Sequence, residues 1–324
     1  MAVIKARTEF ASALNQICAE RGIDLEAALE SIKAAILAAY KKDFGLEEGF
    51  EYLVELNPKT GAPKIFKYPK GKIKKKKEIT PPGFGRIAAQ TAKQVILQKI
   101  REAEKKAIID EYKKRVGTLV NGRVLRFDGE DIICDIGRGQ GVMPPSEQVK
   151  SEKYHLNQRL TLYILEVRKT AKGEQIIVSR AHEGLVEGLF RREVPEVASG
   201  AAEIKAIARE PGSRSKVAVT SNKPGVDPVG SCVGQKGVRV QAVIDELNGE
   251  KIDVIQWSED LQKFIVAALS PAEKIKVKLD EKEKTAFVTV PEDQLSLAIG
   301  KDGQNARLAA KLTGWKIDIK SEAK

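Results

Sequence analysis

The chain carries one unit twice. Residues 229–254 read VGSCVGQKGVRVQAVIDELNGEKIDV, and residues 295–319 read LSLAIGKDGQNARLAAKLTGWKIDI. Asp227-Pro228 opens a helix with Val229, Cys232 and Val233 at i, i+3, i+4, and Pro291-Glu292 opens one with Leu295, Ala298 and Ile299 at the same offsets. A four-residue string bounded by glycines follows in each case. Beyond it, Val240, Val243, Ile244 and Leu247 predict the inward stripe of a second helix, with Ala306, Ala309, Ala310 and Thr313 in the matching places. Asn248-Gly249 and Thr313-Gly314 are left-handed helix stops, and a strand beginning Lys-Ile-Asp starts at 251 and again at 316. Alternating KVAVT and FVTV supply a strand ahead of each unit. In a chain with 26 glycines, about two such glycine pairs arise by chance, so the matched flanks carry the inference and the spacing alone does not.

Two helices meeting across four residues need a tight turn, and glycine at both ends removes Cβ atoms that would keep a ligand chain away. The first amides of the following helix then carry partial positive charge, which suits a phosphate. Lys236 and Arg239 stand beside the first loop, Lys301 and Arg307 beside the second. Bases could lie over the adjoining apolar groove, as in single-stranded RNA recognition. Asp302 opposes a phosphate, so the second unit is expected to bind more weakly alone or to depend on the first.

The rest of the 324 residues narrows the alternatives. At 42% hydrophobic and 31% charged the chain reads as globular, and no apolar run approaches the roughly 18 residues of a membrane span. MAVIKARTEFASALNQICAE is amphipathic and not a signal peptide, so a cytoplasmic protein is expected. Cys18, Cys134 and Cys232 are odd in number and lie in apolar patterns, which predicts buried free thiols. With only His155 and His182 available, no zinc spacing exists, and HExxH, GxSxG, GxxxxGK[ST] and GxGxxG are missing; no catalytic residue, metal or cofactor is assigned. Net charge is +11, but it is uneven: residues 1–116 hold 24 Lys and Arg against 15 Asp and Glu, whereas residues 201–271 hold nine of each. Charge alone therefore does not mark the repeats as nucleic-acid binders.

Upstream, Phe10, Leu14, Ile17 and Cys18 share a helical stripe, and Asp24 caps a second helix with Leu25, Leu29, Ile32, Ile36 and Tyr40 inward. FEYLVELN and KIFKY predict a small strand pair. Nine lysines and no acid lie between Lys59 and Lys77, which reads as a solvated loop or as a phosphate-facing patch. After TPPGFG comes one long helix with Ile96, Ile100, Ala103 and Ala107 on a stripe, roughly 45 Å from end to end and suited to leaving its domain as a spacer. From 116, GTLVNGRVLRF, DIICDIG, QGVMPP, RLTLYILEVRK and EQIIVSRA predict five short strands, turning at Asp128-Gly129, Gly137 to Gly141 and Ala171-Lys172-Gly173, which suits a small closed barrel. GRGQG lies between strands and reads as a hairpin turn.

These stretches resemble the NusA family of bacterial transcription elongation, termination and antitermination factors along nearly the whole chain. FGRIAAQTAKQVILQKIREAE is similar to the long helix of its N-terminal domain, GTLVNGRVLRFDGEDIICDIGRGQGVMPPSEQ to its S1 barrel, and AREPGSRSKVAV, DPVGSCVGQKGVRVQAV and AIGKDGQNARLAAKLTGW to its KH pair. The resemblance implies a multidomain α+β chain: an N-terminal polymerase-binding domain at 1–115, a five-stranded S1-type OB barrel at 116–182, a helical connector at 183–200, and two tandem type II KH domains at 201–271 and 272–324. It implies no covalent chemistry. The head would dock on RNA polymerase near the RNA exit channel while the other modules hold nascent single-stranded RNA, modulating pausing, hairpin-dependent termination and antitermination, with other such factors as further partners. A monomer is expected.

Carried over by position, the clamps are Gly234, Gln235, Lys236 and Gly237 with Arg239, and Gly300, Lys301, Asp302 and Gly303 with Arg307. Arg214 and Lys216 of PGSRSK would touch the RNA backbone, Arg123, Arg126, Phe127 and Arg138 would serve the barrel, and Lys99, Arg101 and Lys105 would face polymerase or RNA. The lysine-rich loop departs from the acidic stretch of many relatives. The sequence reaches only Lys324, without acidic C-terminal repeats, so self-masking of that kind is not expected. An RNA-degrading phosphorylase would place KH before S1, and a KH-containing GTPase would need a phosphate loop. An S1/KH protein of translation or ribosome assembly, with no polymerase contact, is the alternative that the sequence separates least.

Overall fold

The computed structural model describes residues 12, 14–57, 61–171 and 173–322; Phe10, Lys59 and Lys172 lie outside the described residues. The chain divides after Asp110 into two compact units, each taken by itself below.

In the first unit, the Asp24 carboxylate accepts the amides of Glu26 and Ala27 at 3.3 and 3.2 Å and caps helix Leu25–Phe44, which buries Ala28, Ile32, Ile36 and Tyr40. Gly45, at φ 74°, ends it by donating to the Lys41 carbonyl. Strands Phe50–Leu56 and Pro63–Pro69 pair antiparallel, and their facing residues Val54 and Ile65 are buried. A two-residue strand, Lys77–Glu78, adds to the second, a detail the strand-pair expectation lacked. The lysine-rich segment makes a short 3-10 turn, Ile73–Lys75, with Lys64, Lys67 and Lys76 paired to Glu78, Glu47 and Glu55. Helix Phe84–Lys114 is the expected long one, but its buried face is not the expected stripe. Phe84, Ala88 and Ala92 enter the core of the unit, whereas Ile96, Ile100 and Ala103 are only half-buried and Ala107 is exposed.

In the second unit, strands Leu119–Asp128, Asp131–Asp135, Gln140–Met143, Gly173–Ser179 and Arg159–Thr170 pair in that order, and the last returns to the first to close a barrel. The closing contact of Gly141 and Val142 with Ile176 and Ile177 is a parallel bridge of only two residue pairs. Val124, Cys134, Leu162, Ile164 and Val178 fill the interior. The Tyr112 hydroxyl near the end of the long helix donates to the Ile136 carbonyl at 2.5 Å.

Two αββααβ units follow. The first comprises helix Glu183–Glu193, strands Ala202–Glu210 and Arg214–Ser221, helices Pro228–Val233 and Val238–Glu246, and strand Lys251–Gln256. Its central strand Arg214–Ser221 runs antiparallel to Ala202–Glu210 and parallel to Lys251–Gln256. The second repeats this with helix Leu261–Ala268, strands Lys276–Asp280 and Thr285–Val290, helices Glu292–Ile299 and Gln304–Thr313, and strand Lys316–Ser321. The expected division assigned both leading helices wrongly. Leu185, Val186, Leu189 and Phe190, read as part of a connector over 183–200, are fully buried against Val217, Val219, Cys232, Val243 and Leu247. Phe264, Ile265 and Ala268, read as the end of the first domain, pack with Ala286, Val288, Ala298 and Leu308 of the second. A three-stranded sheet with two helices leaves one stripe uncovered, and the leading helix covers it. Cys18, Cys134 and Cys232 are buried free thiols, and burial pushes Cys134 and Cys232 up to about 11.

Candidate nucleic-acid interface

The two glycine-bounded loops have one backbone shape. Gly234 and Gly300 lie at φ, ψ of 75°, 170° and 75°, 171°; Lys236 and Asp302 at 52°, 24° and 52°, 27°; Gly237 and Gly303 at 78°, 10° and 73°, 14°. The third position is left-handed in both, a conformation that an aspartate tolerates better than most side chains, which accounts for Asp302 in backbone terms. Gly237 and Gly303 occupy the N-cap positions and supply no capping side chain, and the first helix amides, those of Val238 and Gln304, donate to the Gln235 and Lys301 carbonyls of their own loops. Gln235, Lys236, Lys301 and Asp302 are exposed, and the first three make no side-chain hydrogen bond or ion pair among the described residues.

The first glycine of each loop is required for a reason internal to the protein, which corrects the expectation that both glycines make room for a ligand. A Cβ on Gly234 would meet Arg239 Cγ at 2.8 Å, and one on Gly300 would meet Asn305 Cβ at 2.7 Å and its backbone nitrogen at 2.8 Å. Gly237 and Gly303 face open space, with nothing nearer than 3.7 Å. Arg239 and Asn305 are five residues beyond the first glycine in each unit, and both reach back to the carbonyl three residues before it: Arg239 Nη1 to Ser231 O at 2.7 Å, Asn305 Nδ2 to Leu297 O at 3.2 Å. Arg239 also holds Glu196 at 2.8 Å. It is a staple between the two helices, where the sequence had suggested a free cation. In the second helix the buried residues are Asn305, Leu308, Ala309 and Leu312, displaced from the expected stripe of Ala306, Ala309, Ala310 and Thr313.

The hairpin between Glu210 and Arg214 is the junction of the unit. Glu210 accepts Gln304 Nε2 and Arg307 Nε, each at 2.8 Å, and Ser213 Oγ accepts Gln304 at 2.7 Å. Arg307 also donates to the Asp302 carbonyl at 2.8 Å, so the second loop is braced on the first αββααβ unit. Gly212, at φ 74°, donates to Glu250 at 2.7 Å, and a Cβ there would lie 2.0 Å from Ser151 Oγ of the barrel segment. The PGSRSK cations are consumed here. Arg214 makes a two-pronged contact with Asp253 at 2.7 and 2.9 Å. Lys216 is fully buried between Asp253 and the Ser270 carbonyl, so it is no backbone contact for RNA. Burial opposes the charge on Asp253, but Arg214 and Lys216 outweigh it and hold the carboxyl below its ordinary range.

On the barrel, Arg123 faces Asp135 at 3.6 Å, Arg126 donates to Gln140 at 3.3 Å, Arg138 holds Glu111 at 2.7 Å, and Phe127 is 47% exposed. In the first unit, Lys99 pairs with Glu102 and lines, with Arg101, Ser31 and Gln94, a cavity of about 640 Å³; Lys105 is exposed. Sequence reasoning missed Gln304 and Glu210, whose partners lie more than ninety residues away.

A small barrel ahead of two αββααβ units, each with an uncapped glycine loop, is the architecture of a tandem KH-domain protein. Residues 180–257 match the NusA-like first KH domain, residues 261–324 the NusA-like second KH domain, and residues 9–71 and 67–106 the NusA N-terminal domain. The KH matches begin at the two leading helices, as the packing requires. The chain is 46% identical over 341 residues to the transcription termination/antitermination protein NusA of Bacillus subtilis, covering 97% of this chain and 91% of that protein. The protein of the same name from Halalkalibacterium halodurans is 45% identical (98% and 89% covered), and that from Thermus thermophilus 42% identical (95% and 89% covered). The chain belongs to the NusA family.

Proposed function

We propose that this protein is an RNA-binding transcription factor acting in termination and antitermination, which holds nascent single-stranded RNA on its KH pair and docks its N-terminal domain on RNA polymerase near the RNA exit channel. The observation that carries the reading is the identical backbone of the two loops, each set at a helix N-terminus without a side-chain cap and beside exposed Gln235 and Lys236 or Lys301. The positive end of a helix and cations beside it attract phosphates without reading sequence. The barrel, as an S1-type module, would extend the RNA path through Arg126, Phe127 and Arg138. Lys99, Arg101 and Lys105 are the candidate polymerase contacts on the long helix.

Changing Gln235 and Lys236 together to Asp should lower the affinity of the full chain for single-stranded RNA by about tenfold or more at moderate salt, with unchanged circular dichroism. Unchanged affinity in a folded variant defeats the clamp. Purified polymerase should show longer pauses with the protein than without it. Equal dwell times, together with retained RNA binding, would favour a role in translation or ribosome assembly.

A further inference from the structure

We infer that the barrel carries a further site, for a phosphate-bearing nucleotide, on the outer face shared by strands Leu119–Asp128 and Arg159–Thr170. In their antiparallel register Asn121 faces Thr161 and Arg123 faces Arg159. Residues two apart on a strand share a face, so these four side chains stand together. Gly122 between them points inward, since a Cβ there would lie 2.6 Å from Leu162 Cδ1 in the barrel interior. A cavity of about 510 Å³ opens over this face, lined also by Asp135, Gly137 and Glu246.

Two arginines directly opposed across strands repel each other. Asp135 pairs with Arg123, but neither acid lining the cavity pairs with Arg159. Asp135 is 3.6 Å from Arg123 and also accepts the Gly137 amide at 3.0 Å, while Glu246 is drawn toward Arg180 at 3.8 Å and Arg192 at 3.5 Å. Arg159 is exposed and has no partner among the described residues. The floor is firmly built: Arg180, 1% exposed, donates to the carbonyls of Thr161 at 3.1 Å and Glu246 at 3.0 Å, fixing the barrel and the first KH domain at this point.

An anion would supply the counter-charge that Arg159 lacks, and its guanidinium fork beside that of Arg123 matches the oxygens of a phosphate. The Thr161 hydroxyl, 5% exposed, donates to Asn121 Oδ1 at 3.5 Å, which leaves the Asn121 side-chain N–H groups for a ribose oxygen. The volume falls within the range of about 300 to 1,000 Å³ typical of small-ligand sites. No aromatic ring lines the cavity, so the phosphate and sugar would be held and the base left unread. The assignment of the phosphate to an RNA chain rests on the proposed function; the site itself does not.

The full chain and its Arg159→Gln and Asn121→Ala variants, each checked for folding, are titrated with a long single-stranded RNA and, separately, with adenosine monophosphate. If the site holds RNA, Arg159→Gln lowers RNA affinity about three- to tenfold and reduces the magnitude of the salt dependence by about one phosphate, with Asn121→Ala weaker. If it holds a free nucleotide, adenosine monophosphate binds the parent chain and Arg159→Gln abolishes that binding while RNA affinity stays the same. Parent-like affinity of both variants for both probes overturns the proposal, and if the Gln235 and Lys236 double variant still loses RNA, the clamp reading survives alone. A parent chain that binds neither probe defeats both.

Discussion

The two KH loops agree in backbone within a few degrees yet differ in what restrains them. In the first, position 238 is a valine 68% exposed and the loop stands free. In the second, the equivalent residue is Gln304, which is bound to Glu210 and Ser213, and Arg307 ties the loop to the same glutamate. The shared part is the staple: a side chain five residues past the first glycine crosses over it to a carbonyl of the preceding helix, as arginine in one unit and asparagine in the other. Backbone shape therefore comes from glycine and that crossing, and the outward side chains are left to vary. Three of the four exposed loop side chains are suited to a phosphate, and Asp302 is not.

The largest effect that could break this comparison is at the two glycines of one loop. Gly300→Ala forces both a left-handed alanine and a 2.7 Å overlap with Asn305, and should destabilise the protein by about 2 to 4 kcal/mol in urea unfolding. Gly303→Ala meets only the backbone penalty of about 1 kcal/mol. Equal effects would mean that the crossing does not set the shape. Next, Asp302→Asn keeps a residue tolerant of the left-handed region and removes a charge that would oppose a phosphate bound at the loop; RNA affinity should rise about threefold, measured by fluorescence anisotropy. A fall would show that the carboxylate is itself a contact.

The smallest effect concerns the brace. Glu210→Gln should lower stability by no more than about 1 kcal/mol, because Arg307 is half exposed. The Arg307 hydrogen bond holds the Glu210 carboxyl below its ordinary 4.5, against the opposing effect of burial. Its contribution is therefore complete above pH 4.5 and disappears as pH falls through the lower folded value. The stability difference between parent and Glu210→Gln should shrink over that acid range, and a difference that persists unchanged to lower pH would exclude the ion pair as its source.

Much of this was legible as pattern. The doubled helix, loop, helix and strand, the five barrel strands and the Asp24 cap follow from period and punctuation, which are local. What was not legible depends on distant partners. Lys216 looks like a surface cation in PGSRSK, but parallel pairing sets Asp253 directly beside it, 37 residues along the chain. Arg239 looks like a phosphate ligand until the preceding helix is seen to offer it a carbonyl. The stripe Leu185, Val186, Leu189 and Phe190 was visible in the sequence, but nothing local says that it completes the domain that follows it.

The two KH domains have corresponding hairpins, at 211–213 and 281–284. Residues 281–284 are exposed. Gly212 has Ser151 pressed against one side and Glu250 bound to its amide, and its neighbours Glu210 and Ser213 carry the second domain. A peptide tag or reporter spliced into the later hairpin would hang harmlessly in water, while the same graft in the earlier one would pry three modules apart at once.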